Sequence, residues 1–489
     1  MADGTGAAPG QRRPNILILI TDDQGYADLG AYDHAAEDIQ TPNLDRIARD
    51  GLLCTQAYVS APVCSPSRAG WNTGRYQQRW DPHASWGPGL PDHVRTLTEH
   101  LQAAGYATGK VGKNDYGTGY HRQDVREYPL HHGCDEFLGF SSHAHDYFLL
   151  SEEVAKATPD PHGHSAALGP LFLNHTRKSY PEGYTTEIFT NAAIDFIRRH
   201  RDHPFCLVLS YNSVHHLIHE VPDRYLRKHG VEAIPLYDPA TMGRYGAYYN
   251  TYNQLDPISD RDMRRYYLAN LHCLDDGVGR VLEALEELGL AEDTLIVYFA
   301  DNGGSPLTGA DNRPLRGSKY ILFEGGIRVA CAVRWPSRLP KGVVYPHRIS
   351  TLDILPTCLE AAGVEPPADA DLDGASFLGA MAGGEPAPSG QRPMCWQFQD
   401  QWAVRDGDWK LAKTHDYTSR QPTSQIVQGP EPGTGPALYR LAADPAEQRD
   451  VAEAHPEVVA RLEAIYRAWR RRTLDEARGG RPGHQRKGS

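Results

Sequence analysis

The stretch Asn15-Ile16-Leu17-Ile18-Leu19-Ile20 is apolar at every position after the first, with none of the alternation of a strand that has one wet face. Such a run describes a strand covered on both sides, as in sheets built from crossover connections. Phe205 to Ser210 and Thr294 to Ala300 repeat the pattern. The segments between them carry helical spacing instead. Over Thr185 to His200, Ile188, Ala192 and Phe196 form one four-residue row and Phe189, Ala193 and Ile197 another. From Asp260 to Leu288, with Ser259 and Asp262 as caps, the apolar side is Leu271, Leu274, Val278, Val281, Leu285 and Leu288. Buried strands alternating with amphipathic helices predict an α/β fold with a large central sheet flanked by helices.

Ligands of open α/β sheets gather beyond the carboxyl ends of strands. Each expected strand ends in polar residues: Asp22-Asp23 after the first, Lys113-Asn114-Asp115 after Tyr106 to Val111, His215 after the 205–210 run, and Asp301-Asn302 after the 294–300 run. Adjacent carboxylates such as Asp22 and Asp23 repel unless a cation lies between them, although Asp and Gly also make ordinary solvated turns. His215, beside His216 and His219, also reads as a loop histidine. The placement of all four clusters on one rim favours a common site over scattered surface turns.

Residues 62–75 form a loop-to-helix junction with Cys64 at its start, Pro66 in the first turn and Arg68 one turn on. Free backbone N–H groups and the positive dipole end suit an anionic reaction centre there, and equally a buried cysteine in an ordinary helix start. The other cysteines, at 54, 134, 206, 273, 331, 358 and 395, show no C-x-x-C zinc spacing and read as buried free thiols.

Cys64-Ser65-Pro66-Ser67-Arg68 resembles the C-x-P-x-R signature of the type I sulfatases. The resemblance runs from Pro14 to about Arg472 and takes in Thr41-Pro42-Asn43-Leu44-Asp45, Gly112-Lys113, Asp301-Asn302-Gly303, Leu315-Arg316-Gly317-Ser318-Lys319 and Glu324-Gly325-Gly326. It implies an alkaline-phosphatase-like mixed sheet. It also implies conversion of Cys64 to formylglycine by a formylglycine-generating enzyme or equivalent maturase. One divalent cation would be bound by Asp22, Asp23, Asp301, Asn302 and the modified Cys64. Oxygen-only donors suit Ca²⁺, with Mg²⁺ as the alternative. By the same resemblance Arg68 steadies the modified side chain, Lys113 and Lys319 neutralise sulfate oxygens, and His215 protonates the departing alcohol. The family pattern Gly-Lys-Trp-His-x-Gly reads here Gly112-Lys113-Asn114-Asp115-Tyr116-Gly117, so Asp115 stands where a histidine usually assists the nucleophile. Asp115 is expected to participate.

Residues 14–363 are expected to form the catalytic α/β domain, and the Pro- and Gly-rich 364–393 stretch a linker or surface loop. Residues 394–475 would form a small antiparallel sheet with a helix, and 476–489 a disordered tail. Two irregular inserts, 140–183 and 221–258, would bring His143, His145, Asp146, Tyr147 and Tyr245, Tyr248, Tyr249 and Tyr252 toward a pocket rim; the tyrosines are equally explained as core packing. Substrate binding is assigned to Lys113, His215, Lys319 and His145, and a sulfated oligo- or polysaccharide is the expected substrate. The formal charge of −12 argues against nucleic acid. No run approaches the ~20 apolar residues of a membrane span. A cytoplasmic protein, or an exported one whose leader is absent from this sequence, fits equally, and a homo-oligomer is compatible. The alternatives are a phosphate or phosphonate ester hydrolase of the same superfamily and a silent glycan-binding relative.

Overall fold

Strand β1 (Asn15–Thr21), buried along its whole length, runs through the middle of a ten-stranded sheet. The computed structural model describes residues 13–82, 86–120, 122–151, 153, 158, 170–178, 183–254, 260–305, 307–415 and 435–479. The other strands are β2 (Leu52–Cys54), β3 (Ala57–Tyr58), β4 (Ala107–Lys113), β5 (Glu136–Phe140), β6 (Leu171–Leu173), β7 (Thr176–Lys178), β8 (Phe205–Ser210) and β9 (Thr294–Ala300). They are followed by β10 (Arg328–Val329), β11 (Cys331–Arg334), β12 (Val343–Tyr345), β13 (Ile349–Ser350), β14 (Met394–Phe398), β15 (Gln401–Asp406), β16 (Trp409–Lys413) and β17 (Ala437–Arg440).

The large sheet has the order β12-β2-β11-β9-β1-β8-β4-β5-β6-β7. Its centre, β9-β1-β8-β4-β5, is parallel, and antiparallel pairs flank it on both sides, so the sheet is mixed. Successive side chains of a strand point to opposite faces, and here they feed two cores. Ile16, Ile18 and Ile20 join Val208, Val297 and Phe299 on one face, covered by the helix Ile354–Ala362 and by Trp396, Phe398 and Tyr439 of the C-terminal strands. Leu17 and Leu19 join Leu207, Leu209 and Ile296 on the other, under the helices Thr185–Arg199 and Asp260–Glu287. Each such buried aliphatic side chain contributes about 1.5–3 kcal/mol. The unbroken apolar runs thus have their cause: both faces are dry.

The C-terminal strands β14-β15-β16-β17 form the expected antiparallel sheet, backed by the helix Pro456–Gly479. That helix enters the stretch expected to be a tail, of which residues 480–489 lie outside the described residues, as does Ser259. The 364–393 stretch carries the helix Leu378–Gly383 and buries Phe377, Met381 and Ala387 in the main core.

Local expectations needed correction. The chain breaks at Ala330 between two short strands, so β10 pairs with β3 in a separate three-stranded sheet while β11 stays in the large one. The insert 221–258 is helical at Asp223–His229, Pro239–Met242 and Tyr245–Gln254. Tyr237, Tyr245, Tyr248 and Tyr249 are buried together with Tyr147 and Tyr184 in one aromatic cluster, and Tyr249 within it feels the charges of Lys319, Lys113 and Asp23. The insert 140–183 contributes β6 and β7, an antiparallel edge on β5. Among the described residues no helix is long and apolar enough to cross a membrane.

Candidate active site

Because β9, β1, β8 and β4 are parallel neighbours, their carboxyl ends lie side by side. Asp22-Asp23, Lys113, His215 and Asp301-Asn302 therefore converge, and all of them are buried. Gly112 makes the approach of β4 to β8 possible. Its φ is +99°, and a Cβ there would lie 1.9 Å from the Ser210 carbonyl oxygen. Asp23 itself holds a left-handed φ of 62°, a conformation sustained only where the surroundings over-determine it.

The helix Cys64–Thr73 enters this rim with its first turn, after extended Val63, and ends at left-handed Gly74. All ten of its residues are buried. Ser67 and Arg68 reach the strand ends, Ser67 Oγ donating to the Asp301 carbonyl at 2.5 Å. Arg68 donates from Nε to Asp301 Oδ2 at 2.9 Å and from Nη1 to Ser210 Oγ at 2.6 Å. Its Nη2 lies 2.8 Å from the same Asp301 oxygen and 3.7 Å from Asp22. Cys64 Sγ lies 3.4 Å from Asp22 Oδ1 and 3.9 Å from Asp23 Oδ1. Burial pushes the thiol well above its ordinary pKa, with Lys113 and Lys319 pulling the other way. Burial thus favours the protonated form of an unmodified Cys64, whereas attack needs the thiolate.

Lys113 Nζ donates to Asp22 Oδ2 at 2.7 Å and Lys319 Nζ to Asp23 Oδ2 at 2.7 Å. Lys319 also lies 3.1 Å from His215 Nε2, which is 3.7 Å from Asp23. Burial, then His216 and Lys319, hold the His215 imidazole well below its usual range, so it is neutral here. Asp22 is raised to about 7, first by burial and then by Asp301 against the pull of Lys113, the mark of a carboxylate short of positive charge.

The donor set fits a hard cation. One atom each from Asp22, Asp23, Cys64 and His215 lies within 4.8 Å of the others. Asn302 donates Nδ2 to Asp23 at 2.8 Å, and its buried Oδ1 has no hydrogen-bond partner among the described residues. Asp301 Oδ1 accepts a long bond from Asp23 N at 3.2 Å. Carboxylates such as Asp22 and Asp23 are ligands that Ca²⁺ and Mg²⁺ take.

Asp115 sits one step back. Its Oδ1 accepts from Ser65 Oγ at 2.6 Å, Gly117 N at 3.1 Å and Tyr120 OH at 3.2 Å, and its Oδ2 lies 3.7 Å from Lys113. Burial alone would raise its pKa, but Lys113 and the Ser65 bond outweigh that and hold it below the usual range. His145 is buried on Phe140, ring centroids 4.9 Å apart, with Nδ1 2.9 Å from the Asp146 carbonyl. Sequence reasoning missed Ser65, Tyr120 and Ser210, which carried no pattern of their own. Trp86, 36% exposed, lies 5.1 Å from the Tyr320 ring beside Lys319.

A model of the sulfatase family matches residues 14–364, most of the chain. The chain belongs to the sulfatase family. It is accordingly a sulfuric ester hydrolase. The N-acetylgalactosamine-6-sulfatase of Canis lupus familiaris is 29% identical over 95% of this chain and 86% of its own length. That of Homo sapiens is 32% identical over 78% of this chain and 68% of its own. The crystal structure of Ps i-CgsB superposes with a TM-score of 0.77 at 27% identity, covering 94% of each chain. Family members of this kind use a cysteine-derived formylglycine and a divalent cation, and in this sulfatase Cys64 and the acidic cluster are found together.

Proposed function

We propose that this sulfatase removes a sulfate ester from a carbohydrate, with Cys64 converted to formylglycine as the nucleophile. The observation that carries the reading is the meeting of Cys64 with Asp22 and Asp23 at 3.4 and 3.9 Å, each carboxylate bonded to a lysine on its far oxygen. Asp22, Asp23, Asp301, Asn302 Oδ1 and the modified Cys64 would hold Ca²⁺, which would polarise the sulfate and lower the pKa of the nucleophile's hydroxyl. Arg68, fixed by Asp301 and Ser210, orients the residue-64 side chain. Lys113 and Lys319 turn from Asp22 and Asp23 toward sulfate oxygens as charge shifts onto them in the transition state. The Lys319–His215 pair holds the proton for the departing alcohol. An entering anion favours placing it on the imidazole, since a nearby negative charge raises a histidine pKa.

The carbohydrate class is supported by the relatives named N-acetylgalactosamine-6-sulfatase and by Ps i-CgsB, crystallised with k-i-k-neocarrahexaose. The test is sulfate release from a panel of sulfated oligosaccharides, paired with rates on an aryl sulfate and the matching aryl phosphate, and a mass measurement of the peptide containing Cys64. Sulfate release with an aldehyde mass at residue 64 is expected. Faster phosphate than sulfate release would favour the ester-phosphatase alternative. An unmodified thiol in protein from the native host, with no sulfate release, would favour a glycan binder.

A further inference from the structure

Lys319 reaches Asp23 and His215 from a loop, not from a strand end, so something must fix that loop. Within the large sheet's half of the molecule its backbone is tied near the lysine by Lys319 N to Gly304 O at 3.2 Å, Tyr320 N to Pro62 O at 2.7 Å and Asn312 Nδ2 to Gly317 O at 3.3 Å. Further ties come from the C-terminal sheet. Gln401 Nε2 donates to Tyr320 O at 2.8 Å, and Leu322 N donates to Thr414 Oγ1 at 3.0 Å. The β15–β16 register pairs Trp402 with Lys413, which sets Gln401 and Thr414 opposite each other at the open end of the hairpin. There the Thr414 hydroxyl donates to the Gln401 amide oxygen. The two side chains thus form a clip on residues 320 and 322.

Behind the clip the hold is ionic and buried. Lys410 of β16 lies 3.0 Å from Glu324 and 2.9 Å from Glu447, while Arg316 donates to the Glu447 carbonyl at 2.7 Å. A loop tied at both 316 and 324 with a clip between has little freedom to slide.

We infer that Gln401 and Thr414 are positioning residues that hold Lys319 at the reaction centre, which makes the C-terminal sheet part of the catalytic apparatus. This rests on the sulfate-binding role given to Lys319 above. Displacing a charge-stabilising group by about 1 Å costs up to ~10²-fold in rate. Neither side chain is among the groups that meet at the strand ends.

Thr414→Val and Gln401→Met keep the side-chain volume and remove the bonds. Each is expected to lower kcat/KM about tenfold or more, and Thr414→Ser to restore most of the loss. Binding of inorganic sulfate, followed by calorimetry, should weaken in parallel. In a Lys319→Met background Thr414→Val should then change neither quantity further, because the group it positions is gone. The same fold-loss with and without Lys319, or unchanged kcat/KM and sulfate affinity in both variants, would overturn the inference. Wild-type protein that binds sulfate but hydrolyses no sulfate ester would count against the proposed function alone, since the clip is still read by sulfate affinity. Protein that does neither would overturn both.

Discussion

Asp115→Asn separates two roles for the carboxylate that stands in the histidine position. The amide oxygen can keep the three bonds from Ser65, Gly117 and Tyr120, but they lose their ionic partner. Hydrogen bonds to a charged group stabilise by about 1.5–3 kcal/mol and neutral ones by about 0.5–1.5, so three weakened bonds cost about 3 kcal/mol. The lost attraction to Lys113 at 3.7 Å is of order 4 kcal/mol gross at an effective dielectric of about 20. Relief from burying a charge offsets much of it. A net loss of about 3 kcal/mol is expected in urea unfolding at pH 7. Lys113, left with Asp22 alone, should also be less free to meet sulfate, lowering kcat about tenfold to a hundredfold.

The pH dependence follows from the depressed pKa of Asp115. A carboxylate ionised more readily in the folded state contributes stability that is whole above the unfolded value of about 3.9 and is lost as pH falls through the folded value. The stability difference between wild type and Asp115→Asn should therefore be flat from about pH 5 to 8 and shrink below about pH 4. A difference that grew with acidification, or wild-type turnover with an unchanged pH profile, would refute this account of Asp115.

Lys319→Met should cost about 10²–10³ in kcat, measured on an aryl sulfate, because it removes one charge aimed at the sulfate. Chelation should destabilise the protein, and Ca²⁺ restored at a hundred times its Kd should return about 2.7 kcal/mol in a melting experiment. Asn302→Leu should abolish that calcium response. Gly112→Ala meets the Ser210 oxygen at 1.9 Å and forces a β-carbon onto a φ of +99°, so it should cost about 3 kcal/mol or more and most activity. Trp86→Ala should raise KM about three- to tenfold for a sulfated oligosaccharide while leaving the aryl sulfate rate unchanged, if the exposed ring packs on a sugar face.

The rim of the site was legible because it follows from topology. Buried strands show as unbroken apolar runs, parallel neighbours share a carboxyl edge, and Asp22, Lys113, His215 and Asp301 fall directly after such runs. Lys319 follows no strand, and only the family resemblance pointed to it. The 221–258 insert hid its helices because Tyr is ambivalent between surface and core. In Tyr245–Gln254 the buried tyrosines Tyr245, Tyr248 and Tyr249 sit among small and polar residues that give no clear stripe. The Gln401–Thr414 clip could not be read either, because each residue bonds to backbone, and backbone partners leave no sequence trace.

The charge balance connects the Asp115 departure to the cation. Four buried carboxylates, Asp22, Asp23, Asp115 and Asp301, face three cations, Arg68, Lys113 and Lys319, while His215 is neutral. One negative charge is left over, and Asp301 and Asp23 add to the burial that raises the pKa of Asp22. A divalent cation reverses the balance to one surplus positive charge, the complement of the single charge on a sulfate ester. With the family's histidine in place of Asp115 the same residues would already balance without the metal. Under the proposed reading, this sulfatase should therefore depend on its cation for anion binding itself as well as for the reaction. Neutralising the position by Asp115→Asn should loosen that dependence, even as it slows turnover.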